Sequence, residues 1–278
     1  MLYLFLAIAS SFLVSFLMRL STGKVSAQKS MLCFNYLMCA SLAAMHCGFG
    51  NLLPAASGMP VTLVLGLFSG VLYLLGFALL QKSMASNGVV LSATFMKLGL
   101  LVPMVLSVIA FGEVPSTVQI IGFCIAIAAI ILINYEKEAH GKRFHFSLIV
   151  LLLAGGGADA MSKVYEQWGD PALSAQFLFF TFASAGLLCL CLVLKGKEWP
   201  GRNEILFGLL IGIPNFYSAR FLLQALNQIP AVIAYPSYSV GTLLIVTLAG
   251  VLVFREQLKN HQWLALAAIL AALVLLNI

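Results

Sequence analysis

The stretch GLFSG at residues 66–70 recurs as GLLIG at residues 208–212, an offset of 142 positions. A second run ends in FGE at residues 111–113 and recurs as a run that ends in FRE at residues 254–256, an offset of 143 positions. Because the two offsets differ by only one position, we interpret the chain as a duplication. If each copy crosses a membrane an odd number of times, the two copies are antiparallel, as in many secondary transporters that work by alternating access.

The composition predicts that the whole chain is embedded in a membrane. Of its 278 residues, 62% are hydrophobic and 9% are charged, whereas soluble domains have roughly 45–50% apolar and about 25% charged residues. Apolar runs of about 17–25 residues can each cross a bilayer as a helix. Ten such runs fill nearly the whole chain, near residues 2–18, 30–46, 61–80, 87–111, 117–134, 146–165, 172–194, 204–226, 231–254 and 261–277. We therefore expect an all-α integral membrane protein with ten transmembrane helices.

The first apolar run lacks both a basic segment before it and a small-residue cleavage site after it. We interpret it as a retained helix rather than a signal peptide. The most polar connection, residues 134–146, divides the chain into five helices and five. We therefore predict a first five-helix repeat at residues 1–140 and a second at residues 141–278, both within one membrane domain. Pro103, Pro214 and Pro236 fall inside predicted helices, where they either shape the helix or form hinges that expose carbonyl groups to a cavity.

Charges indicate the orientation in the membrane. Twelve of the fifteen Lys and Arg residues lie in the loops that follow predicted helices 1, 3, 5, 7 and 9, at residues 19, 24, 29, 82, 137, 142, 143, 195, 197, 202, 255 and 259. The positive-inside rule then puts these loops in the cytoplasm and both termini outside. The net charge of +6 is thus explained by topology, and no basic patch with interleaved aromatic residues points to nucleic acid.

Metal and disulfide chemistry are not expected. Five of the six cysteines lie inside apolar runs without CxxC spacing, and the four histidines have no HExxH or other ligand spacing. A prenyl or lipid transferase generally needs clustered carboxylates to hold Mg²⁺, and the chain has no DxxD or DxxxD pair. We therefore expect no cofactor and no enzymatic activity.

Particular motifs add a family resemblance. They are a glycine-rich helix 3, the turn Ser86–Gly88, a proline-containing helix 4 that ends at Glu113, and the start of helix 5 at Gln119–Gly122. The second half repeats these features over residues 208–276, with Glu256 and Trp263–Leu266 in the corresponding places. Together they resemble the EamA-type members of the drug/metabolite transporter superfamily. The resemblance implies two inverted five-helix repeats around a central cavity, transport of small metabolites or drug-like solutes, and a place in the bacterial cytoplasmic membrane.

Three ionisable residues are expected within the membrane: Lys97 in helix 4, Asp159 in helix 6 and Arg220 in helix 8. Such groups are costly in the bilayer, so by default they face a cavity or a partner. Asp159 is a candidate for proton coupling if desolvation raises its pKa, or it forms a local salt bridge with Lys163 four residues later. Lys97 is either a site or gate residue, or its ammonium group reaches the membrane surface.

Arg220 has the richest polar surroundings of the three. Tyr217, Gln224 and Asn227 share its helix face because residues three, four and seven positions apart are neighbours. A guanidinium flanked by hydroxyl and amide groups suits a carboxylate or phosphate; the alternative is an arginine paired with helix carbonyls or with Asp159. Further candidate substrate-binding residues are Tyr235, Tyr238, Asn35 and Tyr73.

We therefore predict a secondary active transporter or exchanger of a small polar or amphiphilic metabolite. Two intramembrane cations and one acid favour an anionic or zwitterionic substrate. A lipid flippase or a non-transporting receptor on the same fold is the alternative. The expected partners are the small-molecule substrate and the lipid bilayer. The sequence does not decide between a monomer and a homodimer.

Overall fold

The computed structural model describes residues 1–48, 50–87, 92, 95, 96, 98–133, 146–253 and 260–277. Lys97, Glu256 and nearly all of the polar connection at 134–146 lie outside the described residues. The described part contains ten α-helices and a short 3-10 helix, Pro171–Leu173. The α-helices are α1 Leu2–Ser21, α2 Gln28–Cys47, α3 Met59–Asn87, α4 Leu101–Phe111, α5 Thr117–Ile133, α6 Phe146–Trp168, α7 Ser174–Gly196, α8 Arg202–Leu226, α9 Ala231–Leu252 and α10 Asn260–Leu276.

The all-helical prediction is confirmed. Within the described ranges, seven helices are long and apolar enough to cross a membrane, namely α1, α2, α3, α6, α7, α8 and α9. The apolar helices α4, α5 and α10 are shorter. This helix content is that of a multi-pass membrane protein.

The boundary between α3 and α4 differs from the prediction of one helix over residues 87–111. α3 continues to Asn87, and α4 begins at Leu101 after a turn at Gly99 and Leu100. Pro103 explains the turn, because it has no N–H group to donate to the Gly99 carbonyl four residues earlier. That carbonyl instead accepts a hydrogen bond from the backbone N–H of Val102 at 2.9 Å. The other two prolines remain inside continuous helices, α8 and α9.

The chain divides into two compact units, each built from both halves of the sequence. Unit 1 comprises Met1–Leu74 and Val164–Gln228, and unit 2 comprises Leu75–Lys163 and Ile229–Ile278. In unit 1, α2 packs against α7 and α8, and α1 packs against α8. In unit 2, α5 packs against α10, and α9 packs against α4, α5 and α10. The repeat boundary at residues 140 and 141 stays a prediction.

The two units have different cores. In unit 1 the core is rich in aromatic rings, including Tyr36, Tyr165, Phe177, Phe182 and Phe216. In unit 2 the core is formed mainly by small and aliphatic side chains, including Ala126, Ala129, Val240, Ile269 and Ala272. Small side chains let helix backbones approach closely, and close approach is the main source of packing energy between helices in lipid.

The first repeated motif places α3 against α7 in unit 1. A Cβ atom on Gly66 would lie 3.0 Å from the backbone oxygen of Phe177, and one on Gly70 would lie 2.3 Å from that of Thr181. Glycine is therefore required at Gly70 by the closeness of the neighbouring backbone.

The second motif places α8 against α2 in the same way. A Cβ atom on Gly208 would lie 2.5 Å from the backbone oxygen of Met31, and one on Gly212 would lie 2.7 Å from that of Asn35. In each case the third helix of one half packs on the second helix of the other half. The recurring motif thus performs one packing role twice.

Candidate functional site

A small polar cavity lies between the start of α7 and the last turns of α8 in unit 1, and we call it the Arg220 cavity. Its volume is about 40 Å³, and it is lined by Ser174, Ala175, Leu178, Phe216, Arg220, Leu223, Gln224 and Asn227. Roughly 10–15 Å³ is enough for one water molecule. The cavity therefore has room for a group of a few heavy atoms, such as a carboxylate.

The helical spacing of α8 brings three of the predicted residues together. Arg220, Gln224 and Asn227 follow one another at intervals of four and three positions, so they lie on one face of the helix, and all three line the Arg220 cavity. Tyr217 lies on the same helix, but its ring packs among aromatic groups, 6.0 Å from the ring of His46 and 5.6 Å from that of Phe221 between centroids. It is not among the residues that line the cavity.

The polar groups of this cavity are incompletely satisfied. Among the described residues, Nη1 of Arg220 and Oε1 of Gln224 are buried and have no hydrogen-bond partner. A buried donor and a buried acceptor without partners are each costly, and the cost is greater for a charged guanidinium. Nη1 of Arg220 thus lacks the partner that the alternative interpretation gave it, and the cavity offers both a positive donor and a neutral acceptor to a ligand.

The start of α7 adds to the preference for a negative group. Ser174 is the first residue of α7 and lines the Arg220 cavity. The N–H of Ser174 donates to the backbone oxygen of Pro171 in the preceding 3-10 turn, but the dipole of α7 still places partial positive charge at this end of the helix. Ser174 could not be identified as a site residue from the sequence, because the sequence of neither helix shows that α7 packs beside α8.

A second cavity adjoins the first and brings a carboxylate into the neighbourhood. Its volume is about 10 Å³ and it shares Ser174, Leu223 and Asn227 with the Arg220 cavity. The remaining lining residues are Tyr165, Glu166 and Pro171. Glu166 lies in the last turn of α6, far along the sequence from Arg220, so only the fold could reveal that the two residues line adjoining cavities.

The other predicted site residues of unit 1 have packing contacts. Asn35 is 4% exposed, and its Oδ1 accepts a hydrogen bond from Nδ2 of Asn215 at 3.2 Å. The ring of Tyr73 lies 6.0 Å from that of Phe182 between centroids. Neither Asn35 nor Tyr73 is among the residues that line the Arg220 cavity.

Three further predicted residues, Asp159, Tyr235 and Tyr238, belong to unit 2. The hydroxyl of Tyr235, which is 1% exposed, donates to the backbone oxygen of Asp159 at 2.7 Å. The side chains of Asp159 and Tyr238 are half-buried. A role for Asp159 in proton coupling stays a prediction.

Unit 2 also contains a buried ion pair that the sequence did not predict. Nζ of Lys163 lies 2.8 Å from Oε1 of Glu113, and the two side chains are 3% and 15% exposed. The Glu113 carboxylate also accepts hydrogen bonds from the backbone N–H groups of Ala231 at 3.1 Å and Val232 at 3.0 Å. Burial opposes ionisation of Glu113, but these hydrogen bonds and the charge of Lys163 outweigh it and hold the pKa of Glu113 below its ordinary value. Glu113 thus anchors the first turn of α9.

Comparisons with known proteins show similarity to transporters. The second half of the chain, residues 145–278, matches the EamA-like transporter family, a family of the drug/metabolite transporter superfamily. The long apolar helices are those of a multi-pass membrane protein, and the match of the second half indicates similarity to transporters. An uncharacterized protein of Haemophilus influenzae is 22% identical over 283 residues, which cover 97% of this chain and 95% of that protein. A protein crystal structure shares the fold with a TM-score of 0.73 at 16% identity, covering 99% of this chain and 94% of the other.

Proposed function

We propose that the protein is a secondary active transporter or exchanger that carries a small anionic or zwitterionic metabolite by alternating access. The match of residues 145–278 to the EamA-like transporter family supports the general class. The observation that carries the substrate proposal is the buried, unpartnered Nη1 of Arg220 in a polar cavity. The bacterial cytoplasmic membrane, with both termini outside, is part of the same proposal.

An acidic ligand group would relieve the cost of the unpartnered guanidinium. Arginine offers N–H donors in a fixed fork that matches the two oxygens of a carboxylate. The start of α7 at Ser174 supplies partial positive charge to the same place. Because the Arg220 cavity has a volume of about 40 Å³, we infer that it holds the acidic group alone and that the cavity opens to admit and release it.

Glu166 favours a zwitterion over a simple anion. It lines the cavity that adjoins the Arg220 cavity, so a carboxylate and a cation of the protein lie in neighbouring positions. A ligand with a carboxylate and an ammonium group would complement both, with Oε1 of Gln224 as a further acceptor for its N–H groups. We therefore propose an amino-acid-like substrate.

The repeated packing of the glycine motifs supports alternating access. In both the α3–α7 and the α8–α2 contact, glycines on the third helix of one half pack against the second helix of the other half. An inverted repeat would produce this reciprocal arrangement. Proton coupling through Asp159 is a further part of the proposal. In proteoliposomes loaded at a higher internal pH, replacing Asp159 with Asn should abolish the stimulation by the pH gradient and leave exchange intact.

The direct test is uptake by proteoliposomes that contain the purified protein. Labelled neutral amino acids, dicarboxylates and polyamines are compared with and without unlabelled substrate inside the vesicles. The proposal expects saturable exchange for the zwitterions, weaker exchange for the anions and none for the polyamines. Transport of polyamines alone would refute the substrate proposal, and no saturable exchange with any of the three classes would count against the function.

A further inference from the structure

An apolar groove runs between α2 and α7 in unit 1, and we call it the α2–α7 groove. Its volume is about 530 Å³, and its walls are formed by Ser30, Cys33, Phe34, Tyr36, Leu37, Ala40, Phe182, Ala183, Gly186, Leu187, Leu190, Val193, Leu194, Trp199 and Pro200. It shares no lining residue with the Arg220 cavity. The groove is open to the surroundings, since Leu37 is 54% exposed and Leu187 is 66% exposed. Both helices are long and apolar enough to cross a membrane, so such a groove is accessible to lipid.

One end of the groove is rich in positive charge. Trp199 and Pro200 mark this end, and Lys195, Lys197 and Arg202 lie beside them in sequence, all three exposed. In the part of the chain that the structure describes, these three cations have no ion pair with a carboxylate.

The carboxylates near this end are already engaged. Glu198 forms an ion pair with Lys29. Oε1 of Glu204 accepts hydrogen bonds from the N–H groups of Ser26 at 2.9 Å and Ala27 at 3.3 Å, and its Oε2 accepts one from Gly201 at 3.0 Å. Glu204 keeps its negative charge, and the three exposed cations Lys195, Lys197 and Arg202 still leave a net positive charge at this end of the groove.

We propose that the α2–α7 groove binds one acyl chain of an anionic glycerophospholipid, whose phosphate group lies against Lys195, Lys197 and Arg202. The groove volume falls within the roughly 300–1,000 Å³ of sites that hold organic ligands. Basic residues at the ends of transmembrane helices attract anionic lipids, and basic pockets between such helices bind their head groups. A Trp at the same level fits the membrane–water interface, where Trp is enriched.

This site is separate from the proposed transport site. A lipid in the groove would place its head group at the loop between α7 and α8, whereas Arg220 lies near the opposite end of α8. The bound lipid would therefore act as a structural ligand of unit 1, and the proposal stands whether or not the protein transports amino acids.

Trp199 provides the probe, because the chain has three Trp residues and the other two, Trp168 and Trp263, can be replaced with Phe. The single-Trp protein is reconstituted into phosphatidylcholine vesicles that contain a small fraction of lipid brominated on its acyl chains. The brominated lipid is either phosphatidylglycerol or phosphatidylcholine. We expect brominated phosphatidylglycerol to quench Trp199 fluorescence with an apparent affinity about fivefold higher than that of brominated phosphatidylcholine. This ratio corresponds to the roughly 1 kcal/mol that one basic residue contributes.

Two variants test the two parts of the proposed site. Replacing Lys195, Lys197 and Arg202 with Gln together should abolish the preference for the anionic lipid and leave quenching by phosphatidylcholine. Ala183→Phe, which fills the groove, should reduce quenching by both lipids, and Leu192→Phe, on an exposed position of α7 outside the groove, should not.

Equal quenching by both lipids in the parent protein would overturn the proposal, since it would mean ordinary contact with bulk lipid. Absence of quenching, together with a dimer in light scattering, would overturn it in favour of a second copy of the chain on this surface. A preference that survives the triple Gln substitution would also contradict it. Thermal midpoints of all variants show whether a loss of quenching comes from unfolding.

Discussion

Replacing Arg220 with Met should remove substrate binding without destabilising the protein. The Arg220 side chain is half-buried, and its Nη1 is buried without a partner among the described residues. Replacing this charged group with an apolar side chain of similar volume should therefore cost little or no stability. A hydrogen bond to a charged group contributes about 1.5–3 kcal/mol. Its loss should therefore raise the Kd of an acidic or zwitterionic ligand by about 10- to 150-fold.

The assay combines thermal unfolding in detergent with equilibrium binding of a radiolabelled ligand found by thermal-shift screening. Ligand at about a hundredfold excess over its Kd adds roughly 2.7 kcal/mol of stability, so the parent protein should show a clear upward shift of its thermal midpoint. Arg19→Gln, on an exposed position of unit 1, is the matched control and should keep both the shift and the Kd. The reasoning is refuted if the Arg220→Met protein keeps the parent Kd, or if its thermal midpoint without ligand falls by many degrees.

Other expectations concern stability. Glu113→Gln leaves Lys163 buried without its carboxylate, so unfolding should become easier by about 3–5 kcal/mol, and Lys163→Met in the same chain should recover much of this loss. The pKa of Glu113 is held below its ordinary value near 4.5. The stability that ionised Glu113 contributes is therefore complete above pH 4.5 and is lost as the pH falls through the lower pKa of the folded state. The thermal midpoint of the Glu113→Gln protein should thus change less between pH 6 and pH 3 than that of the parent. Gly70→Ala and Gly212→Ala should each lower the free energy of unfolding by about 1–3 kcal/mol through overpacking. Gly50→Ala is the control, because an added Cβ has no atom within 4 Å there, and it should leave the thermal midpoint unchanged. Equal effects at all three positions would mean that the close approach of the helix backbones is not needed.

Helix content and its membrane setting could be predicted because they depend on composition and run length. The bounds of α1, α2, α5, α6 and α8 lie close to the predicted ones for this reason. The start of α4 could not be predicted from run length, because Pro103 affects a carbonyl four residues earlier and the hydrophobicity does not change there. The repeated glycines could be identified as a packing motif, but their partner helices could not, since those contacts join distant parts of the chain.

The candidate site was predictable to the extent that it lies on one helix. The spacing of Arg220, Gln224 and Asn227 identified a polar face of α8, and all three line one cavity. Ser174 and Glu166 come from other elements, so no spacing rule connects them to that face. The contact between Lys163 and Glu113 could not be predicted for the same reason, because the two residues lie in distant parts of the chain.

The most direct test of the central claim is counterflow of a labelled zwitterionic amino acid into proteoliposomes loaded with the same compound, for the parent protein and for the Arg220→Met variant. The account predicts transient accumulation of label with saturable kinetics in the parent protein and in the Arg19→Gln control, and loss of accumulation in the Arg220→Met variant. Accumulation that is undiminished in the Arg220→Met variant would contradict it.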